Sequence, residues 1–277
     1  MAIRLLSVDV DGTITNGRNQ VTQATADALR RAAAAGVIVT LNTGRNLCES
    51  QMVLDRVPEI RYLMGCTGAF LMDVQQHERL SNHTLDIVTA RQVNAIFRKY
   101  DTLIGIFYDD LVCNQADEIG QFTRFYPAEM KSVFDTHTVV PSLTATLAAR
   151  EGGVDKFYVV FADAAAQQAA LREIEPLPVF VTSAGFIDME VMAQDANKGA
   201  ILLELAERLH IRTDEILAIG DSENDVAMLQ TAGVGVAMGN AKEHVREIAD
   251  AVAPDNEHDG VAWTVERLLR GDFDGIG

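Results

Sequence analysis

The sequence predicts an α/β protein whose core is a doubly wound parallel sheet, with a separate α/β domain inserted into it. Two observations, one at each end of the chain, predict the sheet. Short apolar runs alternate with helical segments at both ends of the chain, and this alternation is typical of strand, helix, strand units. A third observation predicts the insertion, because a middle region of about one hundred residues breaks this rhythm.

The amino-terminal elements establish the alternation. Residues 4–10 (RLLSVDV) form an apolar run rich in strand formers and stop at an Asp-Gly-Thr turn. Residues 21–36 predict a helix, because Thr22 is a candidate N-cap, the interior is rich in alanine and Gly36 ends the run. Residues 37–42 (VIVTLN) predict the next strand. This order favours a right-handed parallel crossover.

The same order returns towards the carboxyl end. Residues 197–210 predict a helix, residues 216–220 (ILAIG) a short buried strand, and residues 224–233 another helix before the run VGVAMG. We therefore expect both ends of the chain to form one sheet.

Residues 82–185 are predicted to form the inserted domain, which leaves residues 1–81 and 186–277 as the core. In the insert, a helix over residues 85–100 precedes IGIFYDDLVCNQ, which predicts paired strands. VDKFYVVFAD, the helical AAAQQAALREIE and PVFVTSAGFIDMEV follow. The chain is expected to enter the insert near LSNHT, to leave it near TSAGF, and to end in a loose tail, GDFDGIG.

Composition and charge exclude several classes of partner. The chain has 277 residues and a net charge of −17, which repels polyphosphate backbones and anionic lipid, so neither nucleic acid nor a membrane is expected. No apolar stretch reaches the ~18 residues of a spanning helix, and no signal peptide is recognisable. Three cysteines leave one over in any pairing, which favours a reduced, cytoplasmic setting.

The first polar cluster is Asp9 and Asp11, at the end of the first predicted strand. Alternation puts both carboxylates on one side of an extended chain, where they repel each other unless a cation or a shared proton intervenes. Oxygen ligands without a nearby His or Cys indicate Mg²⁺ rather than zinc. A simple Asp-Gly turn with solvated acids is the alternative interpretation.

Three further clusters follow. Thr43 and Gly44 leave the second strand and offer a hydroxyl and amides to phosphate oxygens, although Thr-Gly also ends ordinary strands. Lys198 opens a helix, where the macrodipole favours anions, so either an anionic ligand or simple solvation accounts for it. GDSEND at residues 220–225 follows ILAIG and holds three acids, whereas an N-cap needs one such residue. Strand ends of a parallel sheet meet at one edge, so the clusters predict one site.

Taken in order, DVDGT, TGR, the lysine of NKGAIL and GDSENDVAML resemble the motifs of the haloacid dehalogenase superfamily of phosphohydrolases. The chain most closely resembles the Cof-type branch, whose type IIB cap is inserted between the second and third motifs. The resemblance covers essentially the whole chain and implies a Rossmann-like catalytic core with a substrate-selecting α/β cap. Thr67 stands where Asn is usual in this family, and Asn197 where Ser or Asp is frequent.

The resemblance also implies a role for each site residue. Asp9 would attack phosphorus and become an aspartyl phosphate, while Asp11 would be the general acid and base. Mg²⁺ would be held by Asp9, by the backbone carbonyl of Asp11 and by Asp221. Asp225 would orient Lys198 or a water molecule on the metal. Phosphoryl oxygens would be bound by the Val10 amide, Thr43, Gly44, Lys198 and Asn224. Cap candidates to face the substrate, with structural roles as the alternative, are Tyr108, Asp109, Asp110 and Lys156.

The expected function is a Mg²⁺-dependent phosphatase for small phosphorylated metabolites, with sugar phosphates foremost, because a lidded crevice excludes bulky substrates. The expected protein acts as a monomer or small homo-oligomer. A phosphomutase, a phospho-accepting signalling module and a non-catalytic metabolite-binding protein are the alternatives. Asp11 and the insert argue against a signalling module, because a general acid and a lid serve turnover rather than a long-lived phosphoryl group.

Overall fold

The computed structural model describes residues 3–126, 136–183 and 187–273. The strands in chain order are β1 (Leu5–Val8), β2 (Ile38–Asn42), β3 (Tyr62–Gly65), β4 (Phe70–Asp73), β5 (Glu78–Asn82), β6 (Thr102–Tyr108), β7 (Leu111–Gln115), β8 (Thr138–Val140), β9 (Lys156–Phe161), β10 (Val179–Thr182), β11 (Asp188–Ala193), β12 (Ile216–Gly220), β13 (Val234–Ala237) and β14 (Ala251–Val252).

The helices are α1 (Gln23–Ala34), α2 (Leu47–Arg56), α3 (Ile87–Phe97), α4 (Ala116–Ile119), α5 (Leu143–Ala149), α6 (Ala164–Ile174), α7 (Lys198–Arg208), α8 (Val226–Thr231), α9 (Glu243–Glu247) and α10 (Gly260–Arg270). Within the described parts of the chain, none of them combines the length and the apolar character that crossing a membrane requires.

The chain divides into two compact units, one formed by Met1–Asn82 with Asn197–Gly277 and the other by His83–Ala196. The first boundary differs from the predicted one by a single residue. The second falls after residue 196 instead of residue 185, because β11 pairs antiparallel with both β9 and β10 and so belongs to the sheet of the inserted unit. The predicted crossing point, residues 184–186, and the last four residues of the predicted tail lie outside the described residues.

The larger unit contains an eight-stranded sheet in the order β14-β13-β12-β1-β2-β3-β4-β5. The six strands from β14 to β3 are parallel, which confirms the fold class and the union of both chain ends in one sheet. β4 and β5 extend the sheet antiparallel, because short connections join them to their neighbours.

The winding of the sheet reverses beside β1. From β1 the chain proceeds through α1 to β2 on one side, whereas from β12 it proceeds through α8 to β13 on the other. Right-handed crossovers in opposite directions put their helices on opposite faces. Ligands of such sheets bind beyond the carboxyl ends of the strands at this reversal, which is where Asp9 and Asp221 follow β1 and β12.

Local sequence signals begin the helices that flank this edge. The Thr22 hydroxyl accepts a hydrogen bond from the Thr25 amide at 3.1 Å, so it is the N-cap of α1. Asn197 accepts from the amides of Gly199 and Ala200 at 3.0 and 2.8 Å, and thereby begins α7 at Lys198.

The smaller unit contains a six-stranded sheet in the order β10-β11-β9-β6-β7-β8, antiparallel except for β7 with β8. The predicted strand pair is the β6–β7 hairpin. One face of this sheet forms an apolar core with α3, α5 and α6, to which Ile104, Phe157 and Val191 contribute. Because side chains alternate along a strand, Lys156, Tyr158 and Glu190 lie on the opposite face.

Candidate active site

Lys198 lies at the centre of the candidate site. Its ammonium Nζ donates to Asp9 Oδ1 at 2.7 Å and to Asp225 Oδ1 at 2.6 Å. The lysine side chain is only 1% exposed, and those of Asp9 and Asp225 are 5% and 0% exposed. Three elements therefore converge here: the end of β1, the start of α7 and the loop after β12.

Asp225 holds the loop after β12 in shape. Its Oδ2 accepts hydrogen bonds from the amides of Asp221 and Ser222 at 2.9 and 3.0 Å and from the Ser222 hydroxyl at 3.2 Å. Its other oxygen is the one that Lys198 contacts. Asp225 thus connects the position of Asp221 to that of the buried lysine.

Burial is the largest influence on the pKa values of Asp9, Asp221 and Lys198. It raises the pKa of Asp9 well above its usual value; Lys198 opposes the rise, and Asp225 and Asp221 add to it. Burial and then the Asp225 carboxylate raise the pKa of Asp221 to about 7. Burial alone would lower the pKa of Lys198, but Asp225 and Asp9 outweigh it and raise that pKa above its usual value.

Asp11 has a different environment. Its carboxylate forms a bidentate ion pair with Arg45, with 2.9 Å from Nε to Oδ2 and 2.6 Å from Nη2 to Oδ1. The Asp11 side chain is 64% exposed and that of Arg45 13% exposed. Arg45 Nη2 also donates to Asn19 Oδ1 at 2.6 Å. Asp11 is therefore held apart from the Lys198 cluster, on the side where solvent reaches it.

The predicted phosphate-binding residues lie around the same strand ends. Thr43 follows β2 and is fully buried, and its hydroxyl accepts from the Arg45 amide at 3.2 Å. Val10 follows Asp9 and is buried, and Asn224 Oδ1 accepts from the Ser222 hydroxyl at 2.8 Å. Gly44 lies between Thr43 and Arg45.

The donor set of the site fits a divalent cation. One oxygen from each of Asp9, Asp221 and Asp225 lies within 4.8 Å of the others, close to the separation of about 4.2 Å between two ligands on opposite sides of one Mg²⁺. Three clustered carboxylates face one lysine, so a bound cation relieves repulsion that burial makes costly. The side chain of Asp11 is not part of this group, and only its backbone carbonyl is left for the predicted metal contact.

Sequence reasoning gave no role in the site to four side chains that organise it, although two of them, Thr13 and Arg45, lie in the motifs DVDGT and TGR. Asn240 Nδ2 donates to Asp221 Oδ2 at 3.1 Å, and the Thr13 hydroxyl donates to Asp221 Oδ1 at 3.3 Å. Asn42 Nδ2 donates to the Lys198 carbonyl at 2.8 Å. The fourth is Arg45, which pairs with Asp11 as described. All four follow or end a parallel strand of the sheet, and the strand-end rule extended to β13 would have included Asn240.

The cap candidates separate onto two faces. Tyr108 packs against the helix-covered core of the smaller unit and its hydroxyl lies 3.0 Å from Cys113 Sγ. Asp109 forms a bidentate pair with Arg150 at 2.7 and 3.0 Å. Lys156 lies on the opposite face, where Nζ donates to Glu190 Oε1 at 2.7 Å. Tyr158 lies on the same face of the sheet as Lys156, whose Nζ is 5.8 Å from the centre of the Tyr158 ring.

A sequence profile of the haloacid dehalogenase-like hydrolases matches residues 6–265. The chain belongs to this family. The match spans both units, which confirms the resemblance drawn from the four motifs.

Two relatives of this hydrolase come from Bacillus subtilis. Phosphatase YwpJ is 27% identical over 288 residues, covering 96% of this chain and 100% of that protein. The 5-amino-6-(5-phospho-D-ribitylamino)uracil phosphatase YcsE is 27% identical over 270 residues, covering 96% of each chain. The predicted enzyme class, a phosphoric monoester hydrolase, is confirmed by such relatives.

Among solved structures, a sugar phosphatase of haloacid dehalogenase subclass IIB superposes on this hydrolase with a TM-score of 0.79. It is 22% identical, and the alignment covers 96% of this chain and 99% of that one. The likeness confirms that the hydrolase has the fold of subclass IIB.

Proposed function

We propose that this hydrolase is a Mg²⁺-dependent phosphatase of small phosphorylated metabolites and that it acts through an aspartyl phosphate on Asp9. The observation that carries the proposal is the buried Lys198 between Asp9 and Asp225, within a group of three carboxylates able to share a cation. A merely structural lysine needs one buried partner; two acids with a third nearby leave excess negative charge for a cation to balance.

Asp9 is the proposed nucleophile. A carboxylate oxygen attacks phosphorus in line with the departing alkoxide, and an acyl phosphate forms as the ester bond breaks. Lys198 Nζ lies 2.7 Å from Asp9 Oδ1, close enough to donate to an oxygen of a phosphoryl group carried by Asp9. The lysine thereby stabilises charge where it develops during transfer.

Asp11 is the proposed general acid and base. It gives its proton to the leaving alkoxide and then takes a proton from the water that attacks the acyl phosphate. Its 64% exposed side chain allows it to exchange protons with solvent between turnovers. The amide of Val10, Thr43, Gly44 and Asn224 are proposed to bind the remaining phosphoryl oxygens.

The metal proposed for the site is Mg²⁺, held by Asp9 and Asp221 and by the backbone carbonyl of Asp11. The oxygen-only donor set favours a hard cation. When bound, the ion would neutralise the charge of the nucleophile and of the phosphoryl group. Asp225 keeps the loop of Asp221 and the ammonium of Lys198 in place.

Sugar phosphates and related polyol phosphates are the proposed substrates. The support is that relatives are phosphatases of small phosphorylated compounds. One relative, YcsE, acts on a compound that carries its phosphate on a ribityl chain. In addition, the ion pair of Lys156 and Glu190 places polar groups on the sheet face of the smaller unit opposite its apolar core, the face that we propose selects the substrate. We propose that residues 83–196 are the cap that selects the substrate.

The proposed setting is the cytoplasm, and the proposed assembly is a monomer or small homo-oligomer. The support for the setting is that Cys48, Cys66 and Cys113, all within the described residues, form no disulfide, as a reducing compartment allows.

The test is a panel of phosphate esters assayed for released phosphate with Mg²⁺, with Mn²⁺, with Ca²⁺ and with excess chelator. We expect turnover with Mg²⁺, partial turnover with Mn²⁺ and suppression by Ca²⁺, whose larger coordination shell misplaces the ligands. Full activity in chelator would contradict the metal proposal, and isomerised phosphate in place of free phosphate would identify a phosphomutase.

Asp9→Asn tests the nucleophile within the same panel. The amide has the shape of the carboxylate but no anionic oxygen, so we expect turnover to be lost while the fold is kept. Because the change removes one of several crowded like charges, thermal stability in chelator should be unchanged or higher. A purified variant that retained a substantial fraction of wild-type kcat would rule out this nucleophile.

A further inference from the structure

Asn240 connects three loops at the carboxyl edge of the larger sheet. It lies three residues after β13, and its Nδ2 donates to the Gly12 carbonyl at 2.9 Å and to Asp221 Oδ2 at 3.1 Å. Its Oδ1 accepts from the Asn256 amide at 3.1 Å. Both amide protons and the amide oxygen are thus used, which fixes the orientation of the side chain.

We propose that Asn240 is a positioning residue that holds Asp221 in its cation-binding orientation and thereby sets the metal affinity of the site. The proposal rests on the proposed function in one respect, namely that the carboxylate group of the site binds Mg²⁺. It goes further by assigning a determinant of that affinity to a residue outside the metal ligands.

Asp221 needs such a partner because its neighbours repel it. One of its oxygens lies within 4.8 Å of an oxygen of Asp9 and of an oxygen of Asp225. Without a restraint, its carboxylate would lower the repulsion by turning away. The hydrogen bond from the Thr13 hydroxyl, at 3.3 Å, is long for an O–H donor, so the amide of Asn240 is the better-placed restraint.

Asp225 does not depend on Asn240 in this way. Its two oxygens accept from Lys198 and from the amides of Asp221 and Ser222. Loss of Asn240 therefore removes the shorter of these two hydrogen bonds to the Asp221 carboxylate and leaves the Lys198 contacts of the site intact.

The turn that follows Asp9 gives a second reason to assign a positioning role to Asn240. Gly12 has φ +77°, and a Cβ at this position would lie 2.4 Å from Asp221 Oδ2. This turn and the Asp221 carboxylate are consequently in close contact. The amide of Asn240 donates one hydrogen bond to the turn, at the Gly12 carbonyl, and one to the carboxylate. One amide thus fixes the distance between the loop that carries Asp11 and the ligand Asp221.

The experiment is a calorimetric titration of Mg²⁺ into metal-free protein, with kcat measured across Mg²⁺ concentration on the same samples. We expect Asn240→Ala to weaken Mg²⁺ binding by about 10–100-fold, the usual effect of removing a residue that orients a metal ligand. Saturating Mg²⁺ should restore most of kcat, because Asp9 and Lys198 are untouched.

Asn256→Ala is the matched control. Its side chain also contacts the nucleophile turn, through a 2.8 Å hydrogen bond to the Thr15 carbonyl, but its backbone amide is the group that contacts Asn240. We expect its Mg²⁺ affinity to stay within about twofold of wild type. Asn240→Ser is the conservative variant, because it keeps a hydrogen-bond donor in a smaller side chain. It replaces Asn240→Ala if the alanine variant fails to fold.

The outcomes separate the two proposals. If wild type binds no Mg²⁺, or Asp221→Asn binds it unchanged, the metal site of the proposed function is wrong. If Asp221→Asn loses binding while Asn240→Ala and Asn240→Ser stay within twofold of wild type, the metal site stands and the role of Asn240 is overturned. Equal losses in the Asn240 variants and Asn256→Ala would also overturn it, because they would indicate general loosening of the loops.

Discussion

Asp221 lies between two hydrogen-bond donors and the like charges of its neighbours. Burial, followed by the Asp225 carboxylate, raises its pKa to about 7, whereas an aspartate in an unfolded chain has a pKa of about 3.9. The folded, metal-free protein therefore retains a proton on this group at pH values where the unfolded chain has lost it. This proton therefore stabilises the folded state. The stabilisation is complete below the pKa of the unfolded chain and disappears as pH rises through the pKa of the folded protein.

We predict that metal-free protein loses thermal stability as pH rises from about 4 to about 7, the interval between the unfolded and folded pKa of Asp221. Mg²⁺ affinity should rise with pH up to about 7 and level off above it, because the cation competes with the proton. The measurement is the melting temperature in excess chelator at several pH values, together with calorimetric Mg²⁺ affinity. Asp221→Asn is the control, since it has no proton to lose there and should show a flatter stability profile. Parallel profiles for the variant and wild type would contradict the role assigned to Asp221.

The turn between β3 and β4 illustrates how one element positions another. Cys66 and Thr67 have φ of 49° and 60°, and Gly68 has φ +99°. A Cβ on Gly68 would lie 2.5 Å from the Asn197 carbonyl oxygen. Asn197 caps α7, whose first residue is Lys198, so the glycine turn allows the lysine-bearing helix to begin at the site.

We predict that Gly68→Ala destabilises the protein by more than about 4 kcal/mol, because it combines backbone strain with overlap against backbone atoms that cannot move freely. It should also lower kcat by displacing Lys198. Gly36→Ala is the matched control, since Gly36 has φ +89° but nothing within 4 Å of its missing Cβ. That change should cost about 1–2 kcal/mol of left-handed strain and leave kcat unchanged.

Chemical denaturation and steady-state kinetics on the two glycine variants make the comparison. Equal losses of stability would show that conformational strain alone matters and that the close approach of Gly68 to α7 does not.

The two units of the molecule place their buried charged groups differently. In the larger unit the buried charges converge on the strand ends, with Lys198 among three acids. In the smaller unit Lys156 and Glu190 form a pair in which each side chain is 3% exposed, on the sheet face opposite the apolar core. The proposed division of labour puts phosphoryl transfer in the first unit and substrate selection in the second.

We predict that the double change Lys156→Met with Glu190→Leu alters kcat/KM unequally across a panel of phosphate esters and leaves the Mg²⁺ requirement unchanged. Both partners are replaced because a single change would leave a buried charge unpaired. Lys198→Ala should instead depress every substrate by a similar factor, since it removes a cation from the phosphoryl group that all of them share.

Tyr108→Phe is the control for the cap, because Tyr108 lies on the helix-covered side of the same sheet, and it should change the ranking of no substrate. Uniform losses in the double variant, or a new ranking in Lys198→Ala, would contradict the division and favour a structural role for the smaller unit.

The sequence by itself determined the family, the alternation of strands and helices and the charged residues at the strand ends, because these depend on short patterns. Asp9, Lys198, Asp221 and Asp225 are recognisable from the residues beside them, and periodicity places each at the end of a strand or the start of a helix. The insertion was recognisable in the same way, from a change of pattern.

Only the tertiary structure decided which of these groups meet. The pairs Asn240 with Asp221, and Arg45 with Asp11, join residues 19 and 34 positions apart, and no local pattern encodes such contacts. The boundary after residue 196 was decided by the pairing of β11 with β9 and β10, because strand partners are chosen by the register and burial of a whole sheet. Burial likewise set the charges of the site, since the pKa of Asp221 depends on how far the folded chain excludes water from it.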